Sequence, residues 1–144
     1  MKIMQLDVLT YVGPQISLSD VTELKRRGVK KIIVVRPEGE TDDQPTISDI
    51  TYAANAAGIV VHQIPVVPGH ITDEAVKEFG TFVAQTTGPI FAYCRSGIRA
   101  TSLWALTQSK NGHSTDNILR TAHSAGYDLS PMTSRLNAKA VTTV

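Results

Sequence analysis

Short β-rich runs and glycine-closed helical stretches alternate through the first hundred residues, and this alternation restricts the possible folds more than any other feature of the chain. The runs Ile32–Val35, Ile59–Val67 and Pro89–Tyr93 are apolar over lengths that suit buried strands, and Leu6–Val12 is a fourth candidate at the front. Helices are expected over Ser19–Arg27, Ile47–Ala57, a stretch capped by Thr72 and running through Gln85, Ile98–Asn111 and Thr115–Ala125, with a weaker one near Pro131–Ala140. Gly28, Gly58, Gly112 and Gly126 directly follow four of these, where a helix ends most readily in a left-handed residue. Ser17 before Asp20, Thr46 before Asp49 and Ser114 before Asn117 supply N-cap hydroxyls with partial capping-box partners. Ile50, Ala53, Ala54 and Ala57 share one helical stripe, and Val76, Phe79 and Val83 share another, so both helices need an apolar surface to cover. The pattern predicts a three-layer α/β fold over 1–144, a single domain with a mostly parallel central sheet flanked by helices. No strand is expected after Cys94; Pro37–Pro45 reads as a polar, acidic connection and Thr142–Val144 as a frayed end.

Lys and Arg number 14 against 13 Asp and Glu, a formal charge of +1, so no global field draws the protein onto nucleic acid or anionic lipid. The apolar runs fall far short of the roughly 20 residues that cross a bilayer, and the N-terminus lacks the regions of a secretory signal. These features predict a cytoplasmic protein with neither a nucleic acid nor a membrane as partner, and they leave its oligomeric state open. Cys94 is the one cysteine, so no internal disulfide forms and no Cys-rich zinc site exists. His62, His113 and His123 are scattered and read as structural or solvent residues; neither a metal nor an organic cofactor is expected.

The chemistry concentrates in Ala92-Tyr93-Cys94-Arg95-Ser96-Gly97-Ile98-Arg99. An apolar strand runs out of the sheet into Cys94, and an amphipathic helix begins four residues later. Ligands gather at that end of a parallel strand, and successive backbone N–H groups with a helix N-terminus make an anion nest there. Such surroundings bring a thiol from about 8.5 down to about 3.5–7.5. The guanidinium of Arg99 presents a planar fork suited to two oxygens of an oxyanion. Gly97 permits the tight turn, Arg95 is placed as an outward substrate guide, and Ser96 and Ile98 complete the loop. Arg36, at the end of the Lys31–Val35 run, is expected either to line the anionic pocket or to pair with Glu38 or Glu40. Asp42 and Asp43 read as a solvated pair on a connection able to approach the cysteine. Trp104 is expected to anchor the cysteine helix to the sheet.

From about Leu6 to Leu129 the chain resembles a small bacterial phosphatase-like family, also found as a domain attached to β-lactamase-like hydrolases. The resemblance rests on Tyr11-Val12-Gly13-Pro14-Gln15-Ile16, Val35-Arg36-Pro37-Glu38-Gly39-Glu40, Ile64 through Glu74, and the cysteine loop. It implies a fold similar to dual-specificity protein tyrosine phosphatases, with Cys94 as nucleophile and Arg99 as the oxyanion-binding arginine. The sequence departs from that pattern in three places. Four residues separate Cys94 from Arg99, where those phosphatases have five; the shorter loop resembles the persulfide loop of rhodanese-type sulfurtransferases. Ala100 stands where a hydroxyl residue commonly follows the arginine, with Thr101 one position later as a substitute. The usual upstream aspartate is replaced by Ile64-Pro65-Val66-Val67, which leaves Asp73, Glu74 and His70 as candidates, Asp73 as the acid and His70 as a substrate contact. The expected reaction is hydrolysis of phosphate monoesters through a phosphocysteine, with a small anionic substrate or a phosphorylated protein as the partner. Sulfur transfer through a Cys94 persulfide and a non-catalytic phosphate-binding module are the alternatives.

Overall fold

A computed structural model describes residues 2–142, with the side chains placed through residue 138. Five strands form one sheet in the order β1-β2-β5-β3-β4, with β1 Met4–Asp7, β2 Thr10–Gly13, β3 Lys31–Val34, β4 Val60–Gln63 and β5 Ile90–Tyr93. Strands β2, β5, β3 and β4 are mutually parallel and β1 alone is antiparallel. The helices are α1 Val21–Arg26, α2 Ile47–Ala56, α3 Asp73–Gln85, α4 Ile98–Lys110, α5 Thr115–Ser124 and α6 Thr133–Thr142. Short 3-10 turns at Leu18–Asp20 and Ser130–Met132 precede α1 and α6. Among the described residues no strand follows Cys94. Thr142 closes α6; the rest of the end expected to fray lies outside the described residues.

The period of two in the strands builds the layers. On β3, Ile32 and Val34 pack with α1 and α2 on one face, while Ile33 and the following Val35 pack on the other. On β5, Phe91 and Tyr93 join the first face, and Ile90, Ala92 and Cys94 join the second with α3, α4, α5 and α6. The same alternation therefore sets Cys94 on the face that α4 covers. Helix α4 is buried continuously from Arg99 to Thr107, as expected for a helix enclosed between a sheet and three neighbours. Trp104 belongs to that core and its Nε1–H donates to Asp7 Oδ2 at 2.9 Å, tying α4 to the end of β1.

The expected caps form: Thr46, Thr72 and Ser114 each accept a backbone N–H of the first turn, from Asp49, Ala75 and Asn117. At Ser17 the contact that closes the box is its own N–H donating to Asp20 Oδ2 at 2.8 Å. Two expectations need correction. Leu6–Val12 is not one strand but a hairpin, because Asp7 Oδ1 accepts the N–H of Leu9 and reverses the chain with Val8 exposed. The run Ile59–Val67 is a regular strand only over Val60–Gln63. Beyond it, Pro65 has no N–H to pair, yet the N–H groups of Ile64 and Val66 still reach the carbonyls of Val34 and Val35.

Candidate active site

Cys94 leaves β5 and the chain turns at once into α4, so the loop sits at the carboxyl end of a central parallel strand. Gly97 is the N-cap of α4 at φ +102°, a region L side chains avoid, and its N–H donates to Cys94 Sγ at 3.1 Å. Among the described residues the N–H groups of Arg95, Ser96, Arg99 and Ala100 donate to no protein acceptor. The first turn of a helix leaves such donors open, and here they line the stretch from Cys94 into α4. Cys94 itself has no exposed surface. Its place at the end of the fully buried strand β5, on the sheet face that α4 covers, accounts for that burial.

Arg99 is buried and strongly held. Its Nη1 and Nη2 donate to Glu40 Oε2 and Oε1 at 2.9 and 2.8 Å, and Nη1 also donates to the carbonyl of Val66 at 2.7 Å. This end-on pairing uses both hydrogens of Nη1 and one of Nη2. The Nε–H and the remaining Nη2–H, which form the side-on edge of the fork, take no protein acceptor among the described residues. That edge is the one left to grip two oxygens of an oxyanion.

Glu40 also accepts Arg36 Nε–H at 3.0 Å, so one carboxylate joins two buried guanidinium groups and leaves one positive charge uncompensated. Hydrogen bonding from Arg99, helped by Arg36, holds the Glu40 carboxyl below its ordinary value although burial opposes this. Arg36 also donates from Nη1 to Gln15 Oε1 and from Nη2 to Thr41 Oγ1, both at 3.0 Å. Of the two arrangements expected for Arg36, the structure forms the pairing with Glu40. Glu38 turns elsewhere and accepts the N–H of Ile47 at the start of α2. Gln15 adds a second tie, since its backbone N–H donates to the carbonyl of Arg95 at 3.2 Å.

Arg95, Ser96 and Ile98 are exposed on the loop. The Thr41 hydroxyl donates to Asp43 at 2.6 Å and is the first cause holding that carboxyl low; Arg36 and Arg95 contribute at longer range. Thr101 does not replace the missing hydroxyl: its Oγ1 donates to the Gly97 carbonyl at 2.8 Å, where it closes the first turn of α4. His70 is exposed on the connection after β4, and Asp73 is fully exposed at the start of α3, with Oδ1 at 3.4 Å from Arg135 Nη2. His62 stacks on Phe82 at 4.1 Å, and His113 and His123 are exposed. Sequence reasoning missed Tyr127. It is buried, its hydroxyl donates to the Ser96 carbonyl at 3.2 Å, and the only local signal for it is its place after the helix-ending Gly126.

The family profile described as beta-lactamase hydrolase-like protein, phosphatase-like domain, matches residues 5–111. The chain belongs to this family. A beta-lactamase hydrolase-like protein of Xylella fastidiosa (strain Temecula1) is 31% identical over 144 residues, covering 99% of this chain and 33% of the relative. The domain thus spans about a third of the length of the curated relatives it matches. A crystal structure of a candidate phosphatase from Neisseria meningitidis superposes with a TM-score of 0.89 at 33% identity, covering 96% of this chain and 99% of that one. The core catalytic domain of a PP-IP phosphatase from S. cerevisiae shares the fold, with a TM-score of 0.76 at 15% identity over 95% of this chain and 84% of that one. Cys94 and Arg99 both lie within the matched residues, at the junction of β5 and α4.

Proposed function

We propose that the domain hydrolyses phosphate monoesters through a phosphocysteine on Cys94. The observation that carries the reading is the free side-on edge of a buried Arg99, five positions after Cys94 on a loop that keeps open N–H groups. In this reaction the Cys94 thiolate attacks phosphorus in line and the bond to the leaving oxygen breaks. The Arg99 guanidinium and the amides of Arg95, Ser96, Arg99 and Ala100 bind the nonbridging oxygens as charge redistributes, while the Gly97 amide stays on the sulfur. Water then attacks the phosphocysteine, releasing inorganic phosphate and restoring the thiolate. Arg95, exposed at the rim, receives the substrate's anionic group, while Arg36 supplies positive charge through Glu40 and keeps the 36–46 connection over Arg99.

Asp73 is the proposed donor of the leaving-group proton and His70 a substrate contact. The Val66 carbonyl that holds Arg99 begins the connection carrying both, and Asp43, held as a carboxylate, is a poor acid. The substrate class is a small phosphate ester or a phosphorylated protein, and the proposed setting is the cytoplasm. No helix of the described chain is long and apolar enough to cross a membrane.

The four-residue spacing between Cys94 and Arg99 favours a second reading, in which Cys94 carries a sulfane sulfur as in rhodanese-like loops. A paired assay separates the two: freshly reduced protein is given an aryl phosphate, and separately thiosulfate with a thiol acceptor. Phosphate release abolished by Cys94→Ser and lowered at least about a hundredfold by Arg99→Ala supports the phosphatase. Rapid cysteine-dependent sulfur transfer with no phosphate release would replace it.

A further inference from the structure

Tyr127 follows α5, outside the residues 5–111 matched by the family profile, yet it meets the centre of the cysteine loop. Its backbone N–H is tied to the Ala122 carbonyl at 2.9 Å, and its ring is buried against Gly97. A Cβ placed on Gly97 would collide with the phenol oxygen, so a glycine at this point makes room for Tyr127 as well as for the turn. The hydroxyl donates to the Ser96 carbonyl, and Ser96 C=O and Gly97 N–H are opposite ends of one planar peptide. The other end of that peptide is the N–H that donates to Cys94 Sγ.

We propose that Tyr127 is a positioning residue for the nucleophile, acting through this single peptide. Its hydroxyl fixes the Ser96–Gly97 plane with the N–H toward the sulfur and, by drawing charge onto the carbonyl oxygen, makes that N–H a better donor to the thiolate. Hydrogen bonds in series polarise one another in this way, most effectively where water is excluded. Without the phenol the peptide is free to rotate and turn its carbonyl oxygen toward the sulfur, which opposes ionisation. Burial, with the charge of Cys94 adding to it, pushes the Tyr127 phenol above its ordinary value, so the donor keeps its proton at neutral pH. The charged groups disposed around the loop are Arg95 on it, Arg99 on α4, and Arg36, Glu40 and Asp43 from the β3–α2 connection. Among the described residues none of their side chains hydrogen-bonds to the Ser96 carbonyl or the Gly97 N–H. Tyr127 thus acts on the sulfur by a route separate from theirs.

This inference rests on Cys94 being the nucleophile, but its test reads the thiol rather than turnover. With one cysteine in the chain, ultraviolet thiolate absorbance corrected by Cys94→Ser reports Cys94 alone. Tyr127→Phe keeps the ring and removes the hydroxyl. Its half-titration should move to higher pH, with the thiolate fraction just below the wild-type midpoint falling about threefold and kcat falling more than KM changes. A fluorinated tyrosine incorporated at position 127, a stronger donor while neutral, should move the midpoint the opposite way. A folded Tyr127→Phe that titrates as wild type overturns the proposal. If Tyr127→Phe does not fold, the fluorinated protein decides: a midpoint that stays put or rises also overturns it. A thiolate shift without any phosphate release would leave this role intact and remove the phosphatase reading.

Discussion

Glu40 holds Arg99 end-on across 59 residues of sequence, with both carboxylate oxygens within 2.9 Å of the two Nη atoms. The arrangement leaves the other edge of the guanidinium without a protein acceptor among the described residues and fixes it before substrate arrives, and preorganised charge of this kind is what stabilises a transition state cheaply. Glu40→Gln keeps the shape and removes the charge. It should lower kcat/KM for an aryl phosphate by about tenfold or more, and it should cost about 3 kcal/mol of stability because two buried guanidinium groups lose their counterion. Steady-state kinetics together with urea denaturation checks both. Unchanged kinetics would show that Arg99 needs no such brace.

The same carboxylate predicts a pH dependence of stability. Its value in the folded protein lies below the ordinary 4.5, so the unfolded chain binds more protons as the medium is acidified. The stabilisation is fully present above that ordinary value and is lost as pH falls through the folded value. Thermal unfolding followed downward from neutral pH should show Tm falling below about pH 4.5, and a smaller fall over that range for Glu40→Gln. Parallel curves for the two proteins would contradict the linkage.

Gly97→Ala combines a disfavoured φ of +102° with a collision against the Tyr127 hydroxyl. The backbone strain alone is of order 1–3 kcal/mol, and relief requires moving either the phenol or the peptide that faces Cys94. The variant is expected to melt earlier and to lose nearly all phosphatase activity, measured by calorimetry and phosphate release. Full activity would mean that the loop geometry tolerates a displaced peptide.

What was legible in the sequence is what short-range physics determines. The cysteine loop reads from eight consecutive residues because strand exit, turn and helix start are all local, and the Thr46, Thr72 and Ser114 caps read for the same reason. The hairpin at Asp7–Leu9 was obscured because its turn depends on one aspartate oxygen rather than on a glycine or proline. Arg36–Glu40 was within reach, being four positions apart, whereas Arg99–Glu40 and Tyr127–Ser96 were not, since only the folded sheet and α5 bring such distant residues together. Thr101 misled because its hydroxyl has a nearer acceptor, the Gly97 carbonyl, than any thiolate.

Proton donation by Asp73 should depend on the leaving group. An aryl oxide of low pKa departs without help, while an alkoxide needs a proton. Asp73→Asn should therefore leave hydrolysis of an activated aryl phosphate within about twofold and slow an alkyl phosphate by about a hundredfold. Equal effects on both substrates, or none, would remove Asp73 from the reaction.

The most direct test follows the sulfur itself. Reduced protein mixed with an aryl phosphate is quenched in acid within the first turnover, and the mass of the peptide containing Cys94 is measured. The account predicts one added phosphoryl group on Cys94, no adduct in Cys94→Ser, and accumulation of the adduct when water attack is the slower step. An unmodified peptide while phosphate is being released, or a single added sulfur atom after thiosulfate with no phosphoryl adduct from the ester, would contradict it.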